Sequence, residues 1–197
     1  DYDKNGSNDP LIGQFYENKK GERKLYPLHT RDDIIKQLPM IKNRYVQYAA
    51  FGEVTLSELL EANLNSDAFL KIDHTQSCML INEGGGKSSL KILPTAAQTA
   101  PIQSILIKDI NQDGHPDLIM VGNDFTSEKN NGWYDAFNGL ILLGDGKGTF
   151  KELPAAQSNF IVSKDARDII QLKTKEEKNL IIVGQNSAEL NVFEMQK

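Results

Sequence analysis

The chain is poor in the residues that most site chemistry needs. Cys78 is its one cysteine, so no disulfide can form within it. Its place in the apolar run CMLI points to a small buried hydrophobe in preference to a reactive thiol. Only three histidines are present, His29, His74 and His115, far apart in unlike contexts. His74 in KIDHTQS is expected at a strand end as a surface side chain. No HExxH, GxSxG, phosphate-loop or CxxC signature occurs, which removes the familiar zinc-protease, serine-hydrolase, nucleotide and thiol-redox routes. No apolar run approaches the roughly 20 residues of a membrane-spanning helix. Positive charge is not in excess either: 27 acids against 22 bases give a net charge of −5, which argues against nucleic acid and suits a bound cation. With 39% hydrophobic residues over 197, the chain has material for a sizeable core.

What it does have is repetition. DYDKNGSND, opening the chain, matches DINQDGHPD from Asp109: Asp1 with Asp109, Gly6 with Gly114 and Asp9 with Asp117 are identical. Asp3 and Asn5 stand opposite Asn111 and Asp113. GGGKSSLKILP from Gly84 returns as GDGKGTFKELP from Gly144, and DLIMVGN at Asp117 returns as NLIIVGQ at Asn179. The second copy of the aspartate stretch is led by SILIK, whereas the first begins directly on Asp1. That asymmetry points to a fragment of a longer protein.

The segments SILIK, DLIMVG, GLILL, TFKELP, DIIQL, NLIIVG and LNVFEM are short, rich in Leu, Ile and Val, and bounded by Gly, Asn or Asp. They are expected to be strands joined in hairpins, with GDGKG and GGG as glycine turns. Short strands at near-regular spacing, repeated along the chain, suggest an all-β β-propeller arrangement. One segment breaks the pattern. Between residues 30 and 63, Ile34, Leu38, Ile41, Tyr45 and Tyr48 fall three or four apart, which predicts a helical insertion with one apolar face docked on the blades. Thr30 is its expected N-cap with Asp32 and Asp33 in the first turn, Pro39 an expected break, and Thr55 with Glu58 a capping box.

The repeated aspartate stretch has the form of a loop that wraps an ion. Asp109, Asn111, Asp113 and Asp117 carry side-chain oxygens, the carbonyl of His115 can join them, and Gly114 permits the tight bend. In the first copy Asp1, Asp3, Asn5, the Ser7 carbonyl and Asp9 take the same places. Hard oxygen donors in this number favour Ca²⁺ over the stricter octahedron of Mg²⁺. An EF-hand is excluded, because Ile12 and Met120 stand where its bidentate glutamate belongs and a strand follows. The plain alternative is an acidic turn with solvated side chains and no ion.

These motifs together, DINQDGHPDLIMVGN and LILLGDGKGTF, resemble the FG-GAP/VCBS repeat family, whose blades carry a calcium loop of form DxNxDGxxDLxV and a hairpin of form LLGxGDGTF. The likeness covers nearly the whole chain apart from the helical insertion. It resembles the C-terminal part of large bacterial VCBS-repeat surface proteins, which are related to the integrin α-chain propeller. The first loop departs from the pattern at Asn5 and Pro10, and the last repeat lacks the loop and is assigned no metal. The resemblance implies calcium in the blade loops and adhesion or ligand binding in place of catalysis. It further implies an extracellular or cell-surface setting, associated with the outer membrane or lipid-anchored as a lipoprotein. Residues 1–197 would form about two to three blades of a ring, completed by the rest of the propeller or by another surface protein.

One stretch is left over. NDFTSEKNNGWYDAFNG, from Asn123 to Gly139, is long for a hairpin connection and holds Trp133, Tyr134 and Asp135. It is either a recognition loop for a glycan or protein, or a plug packed down on the sheet. Three functions stay open: a calcium-stabilised binding module, a supporting or cleft-forming part of a carbohydrate-active enzyme, and a pure assembly component on an outer-membrane partner.

Overall fold

The computed structural model describes residue 2 and residues 5–61, 70–127 and 132–195. The chain divides into two compact units, Asp1–Asp73 and His74–Lys197. Most of the regular structure is antiparallel β-sheet, as the strand-like segments lead one to expect.

Among its described residues, the first unit pairs β1 (Gly13–Glu17) with β2 (Arg23–Pro27) in a hairpin and follows it with four short helices. These are α1 (Arg31–Gln37), α2 (Ile41–Arg44), α3 (Tyr48–Gly52) and α4 (Leu56–Leu60). Residues 62 and 63 of the expected helical segment lie outside the described residues. The capping signals act as their spacing suggests. Thr30 accepts the amide of Asp33, and Thr55 and Glu58 exchange side-chain and backbone bonds in a complete capping box. Leu38, directly before Pro39, leaves the helical region at φ −122°, which ends α1. Helices this short hold through packing and not through propensity. Ile34, Leu38 and Ile41 are fully buried with Phe51, Leu56, Leu59 and Leu60, and Leu11 and Leu25 of the hairpin region close the cluster.

Tyr48 corrects the expected stripe: it is exposed. The chain is extended at Gln47 (ψ 137°), so the helical phase restarts at α3 and turns Tyr48 outward. Its hydroxyl donates to Asp32 at 2.7 Å, and the Arg31 guanidinium lies 4.9 Å from its ring centre.

The described residues of the second unit form three antiparallel sheets. β3 (Cys78–Gly84) pairs with β4 (Lys87–Ile92). A four-stranded meander follows: β5 (Ile102–Lys108), β6 (Asp117–Gly122), β7 (Leu140–Gly144) and β8 (Phe150–Leu153). β9 (Ala166–Lys173), β10 (Asn179–Gln185) and β11 (Asn191–Met195) form the third. The glycine-hairpin repeat is a structural repeat as well. After both β4 and β8 a proline leads into a single helical turn, a 3₁₀ turn at Thr95–Gln98 and α5 at Ala155–Ser158. The turns themselves differ. Gly84 pairs with Lys87 across two residues, whereas Asp145 closes a longer loop by donating its amide to the Thr149 carbonyl at 3.1 Å.

The meander is covered on both faces. Ile119, Val121 and Ile141 pack with Phe160, Val162, Ile169, Ile181 and Val183. Met120, Leu140 and Leu142 pack on the other side with Leu93, Ala97, Ala100 and Phe137. Double burial explains why LIMV and LILL are unbroken apolar runs and do not alternate. Each such side chain is worth about 1.5–3 kcal/mol when fully buried. β5 runs beside β9, where Ser104 donates to Asp168 and Lys108 to Gln171, each at 3.0 Å.

Two expectations are corrected here. Cys78 is exposed and not buried: β3 belongs to a two-stranded sheet, and Cys78, Leu80, Leu90 and Ile92 fall on its outer face. Met79 and Ile81 turn the other way, toward Gly148 in the β7–β8 loop. His74 lies in irregular chain ahead of β3, not at a strand end. Among the described residues, no helix is long and apolar enough to cross a membrane.

Asn123 sets the far end of β6. It is fully buried at φ 80°, a left-handed conformation that asparagine tolerates better than most side chains. Its amide nitrogen donates to the carbonyls of Phe137 (2.7 Å) and Lys164 (3.1 Å), and its oxygen accepts the Phe137 amide at 2.9 Å. Asn123→Gly keeps the backbone conformation and removes these bonds. It should cost the second unit about 2–3 kcal/mol. Urea unfolding read by the emission of Trp133, the one tryptophan, measures this directly; a change under about 0.5 kcal/mol would deny the clamp its role.

Candidate functional site

The loop from Asp109 to Asp117 joins β5 to β6, and its side-chain oxygens close on its own backbone. Asp109 accepts the amides of Asp113 (3.2 Å) and Gly114 (2.9 Å). Asn111 accepts the Asp113 amide at 3.2 Å and donates its side-chain nitrogen to Asp113 at 2.8 Å. Asp113 accepts the His115 amide at 2.8 Å. The Asn111 amide and then the His115 N–H hold the Asp113 carboxyl below the usual carboxylate value, in the ionised form a cation needs. Gly114 takes φ 86°, the bend anticipated for it.

Asp117 differs from the rest. It is 0% exposed, and its two oxygens accept two separate amides, Ile110 within the loop and Gly144 at the end of β7, each at 2.8 Å. One carboxylate thereby ties the loop, β6 and the β7–β8 turn together. The approach at Gly144 is close enough that a Cβ there would lie 2.2 Å from the Pro116 carbonyl oxygen, so glycine is required.

The N-terminal copy repeats two of these bonds and the glycine bend. Tyr2 donates its amide to Asp9 at 2.8 Å, as Ile110 does to Asp117. Ser7 donates to Asn5 at 2.8 Å, as His115 does to Asp113. Gly6 takes φ 87°. Asp1 and Asp3 lie outside the described residues.

The donor set suits a hard cation in its chemistry. Each carboxylate or amide oxygen that accepts one N–H keeps a second lone pair. Its convergence is another matter: among the described residues, no group of three or more Asp, Glu, His or Cys side chains is drawn together as a metal would require. The acids of this loop turn toward backbone amides. His115, cast as a carbonyl donor, places its ring against the glycine turn, where a Cβ on Gly146 would lie 2.4 Å from its Nδ1.

The second candidate is the stretch after Asn123. Asp124 and Tyr134 exchange backbone hydrogen bonds at 2.9 and 3.0 Å, and Ser127 donates to the Gly132 carbonyl. Trp133 stacks on Phe125 with ring centres 4.8 Å apart and planes 9° from parallel. Trp133 is 64% exposed, and Tyr134 and Asp135 are exposed with it, so these three do not pack down on the sheet; Phe137, later in the same stretch, does. Arg167 reaches up from β9 to Asp124 (3.1 Å) and to the buried Asp165 (2.8 Å). The Thr126 hydroxyl and amide, and after them Arg167, hold the Asp124 carboxyl low.

Phe125, Arg167 and the Asn123 clamp were not singled out from the sequence. A signal for the clamp exists: in the aligned repeats DLIMVGN and NLIIVGQ an amide side chain follows the strand's glycine. Gln185, like Asn123, ties the chain that follows its strand, donating to the Glu189 carbonyl at 2.6 Å. A groove of about 560 Å³ in the first unit, between the β1–β2 hairpin and α3–α4, is lined by paired charges such as Lys19 with Glu53 and Lys24 with Glu22, each at 3.0 Å.

No protein-family model matches this chain, and no curated protein or solved structure shows significant similarity to it.

Asp117→Asn can satisfy one of the two buried amides and turns a donor toward the other. It should lower stability by about 2–3 kcal/mol even in chelator, where no ion contributes, read by urea unfolding in EDTA. Asp113 and Asp145 are both held below their usual value of 3.8, Asp145 by the amides of Thr149 and Lys147. Their contributions are complete above that value and fade as pH falls through the lower folded ones. Asp145→Ala should therefore unfold more easily than the parent near neutral pH, with the difference narrowing as pH falls below the usual carboxylate value.

Proposed function

We propose that this chain is a non-enzymatic, calcium-binding β-module of a surface-exposed or secreted protein, built from propeller-type blades and used for ligand or protein binding. The observation that carries it is the recurrence of one hydrogen-bond pattern in two separate loops, each feeding a strand. Tyr2, Asn5, Gly6, Ser7 and Asp9 adopt the arrangement of Ile110, Asp113, Gly114, His115 and Asp117. Asx turns arise singly by chance. A nine-position pattern of oxygens repeated with the same bend is economical only if the oxygens share a task.

The propeller part of the proposal is supported by sheet order. β5 to β8 form a meander, the chain crosses from the last strand of that sheet to β9 beside β5, and the next meander begins there. When calcium is bound, the oxygens of Asp109, Asn111, Asp113 and Asp117 would hold it, and its charge would neutralise their mutual repulsion. Extracellular calcium sites of about 10⁻⁴–10⁻³ M affinity are filled in such surroundings.

The carbohydrate-active alternative needs a carboxylic acid kept protonated near neutral pH. Among the described residues, every carboxylate whose pKa is displaced is displaced downward: Glu22, Asp33, Glu58, Asp113, Asp124 and Asp145. Asp124 and Asp165 do approach a common centre, but Arg167 pairs with both and favours the charged form of Asp124. The balance supports binding.

Thermal melting of the full chain tests the calcium proposal. Millimolar calcium, about one to ten times a dissociation constant of about 10⁻⁴–10⁻³ M, adds roughly 0.4–1.4 kcal/mol, or on the order of 1–5 °C for a chain of this size. Asp113→Ala should lose a large part of that shift. Identical melting in millimolar calcium and in EDTA would end the proposal, and an undiminished shift in Asp113→Ala would end the ligand assignment at this loop.

A further inference from the structure

The loop after β6 has more construction than a connection requires. We infer that Trp133, backed by Phe125, forms a stacking platform for a neutral saccharide ring, with Asp135, two residues on in the chain, to meet the sugar hydroxyls. The saccharide site presupposes the binding-module proposal and names the class of its ligand.

Three features of the geometry point this way. Trp133 covers one face of its ring with Phe125, parallel at 4.8 Å, and stays 64% exposed. A large flat apolar surface facing water costs free energy unless something covers it, and a pyranose ring presents a matching plane of C–H groups to an aromatic face. The platform is also held in place before any ligand arrives. Asn123 locks the loop's base to Phe137 and to Lys164, Asp124 and Tyr134 are paired through their backbones, and Arg167 anchors Asp124 to the buried Asp165. Pre-organisation of this kind cuts the ordering cost of binding.

The polar surroundings select the ligand's charge. Asp135 is exposed and Asp124 is held ionised. Arg167 is engaged by two carboxylates and is not offered to an anion. A uronate, a sulfated glycan or a nucleic-acid phosphate would meet the carboxylate of Asp135 here, while the hydroxyls of a neutral sugar can donate to it. A single aromatic pair is also small against the roughly 800 Å² per partner of a stable protein interface.

Because Trp133 is the one tryptophan, its emission reports this site alone. The full chain in millimolar calcium is titrated with cellohexaose, mannohexaose, xylohexaose and laminarihexaose, with a polygalacturonate oligomer as the acidic comparison. The expected result is a saturable emission change with at least one neutral oligosaccharide, matched by calorimetry. Calorimetry of Trp133→Ala should show affinity reduced by about tenfold or more, with its melting temperature unchanged, and Trp133→Phe should retain part of the binding. No response to any of the four neutral hexasaccharides, a response to polygalacturonate alone, or undiminished affinity in Trp133→Ala would overturn the inference. A calcium-dependent melting shift that persists through such a failure would leave the calcium module standing without the sugar. Sugar binding without any calcium shift would do the reverse.

Discussion

The constraint on which the second unit depends is that β6 is buried on both faces and must still satisfy the backbone groups around its two ends. A polar group stranded there costs about 1–3 kcal/mol. Two side chains, both fully buried, answer this. Asp117 at the start accepts the amides of Ile110 and Gly144, and Asn123 just past the end exchanges bonds with Phe137 and reaches Lys164. The first holds the aspartate loop and the β7–β8 turn in register. The second holds the aromatic loop. Apolar packing supplies most of the stabilisation, but these two residues decide where the loops go.

That arrangement bears on what a cation does. Four oxygen-rich side chains converging on nothing would repel one another, which suggests a loop that folds only around its ion. Here the carboxylates turn to N–H groups of their own loop, with Asp109 and Asp113 alone accepting three of them. The bend therefore has internal support before metal arrives. A pre-formed loop gives a graded stabilisation on binding, not an all-or-none folding event, and its affinity is tuned by how readily the acids exchange amide partners for the ion.

Much of this was legible in the sequence, and the reasons are local. The runs SILIK, DLIMVG and NLIIVG name their strands because a doubly covered or alternating strand has few other ways to be written. Thr30, Pro39 and the Thr55–Glu58 pair mark helix ends because capping involves neighbours only. What failed was long-range. Cys78 sits in an apolar run, yet which face of β3 is covered depends on what packs against a two-stranded sheet. Tyr48 keeps the helical spacing of Ile34, Leu38 and Ile41, but spacing carries across a break only if the phase survives, and the extended Gln47 resets it. The aspartate loop was legible as a pattern of oxygens, whereas the division of labour within it was not. Nothing in DINQDGHPD alone separates Asp117, whose partner Gly144 lies 27 residues away, from Asp113.

The two loops leave β6 from opposite ends, and this limits how they can be coupled. Six residues of strand at about 3.3 Å each put roughly 20 Å between them. A cation held by Asp109, Asn111 and Asp113 cannot reach a ligand lying on Trp133, and its field is largely screened over that span in physiological salt. Any influence must pass through the strand, by way of Asp117 at one end and Asn123 at the other. Since β6 is packed rigidly on both faces, that path transmits stability better than shape. Calcium at the aspartate loop would then set how much of the protein is folded and competent, while the chemistry of recognition stays with the aromatic loop.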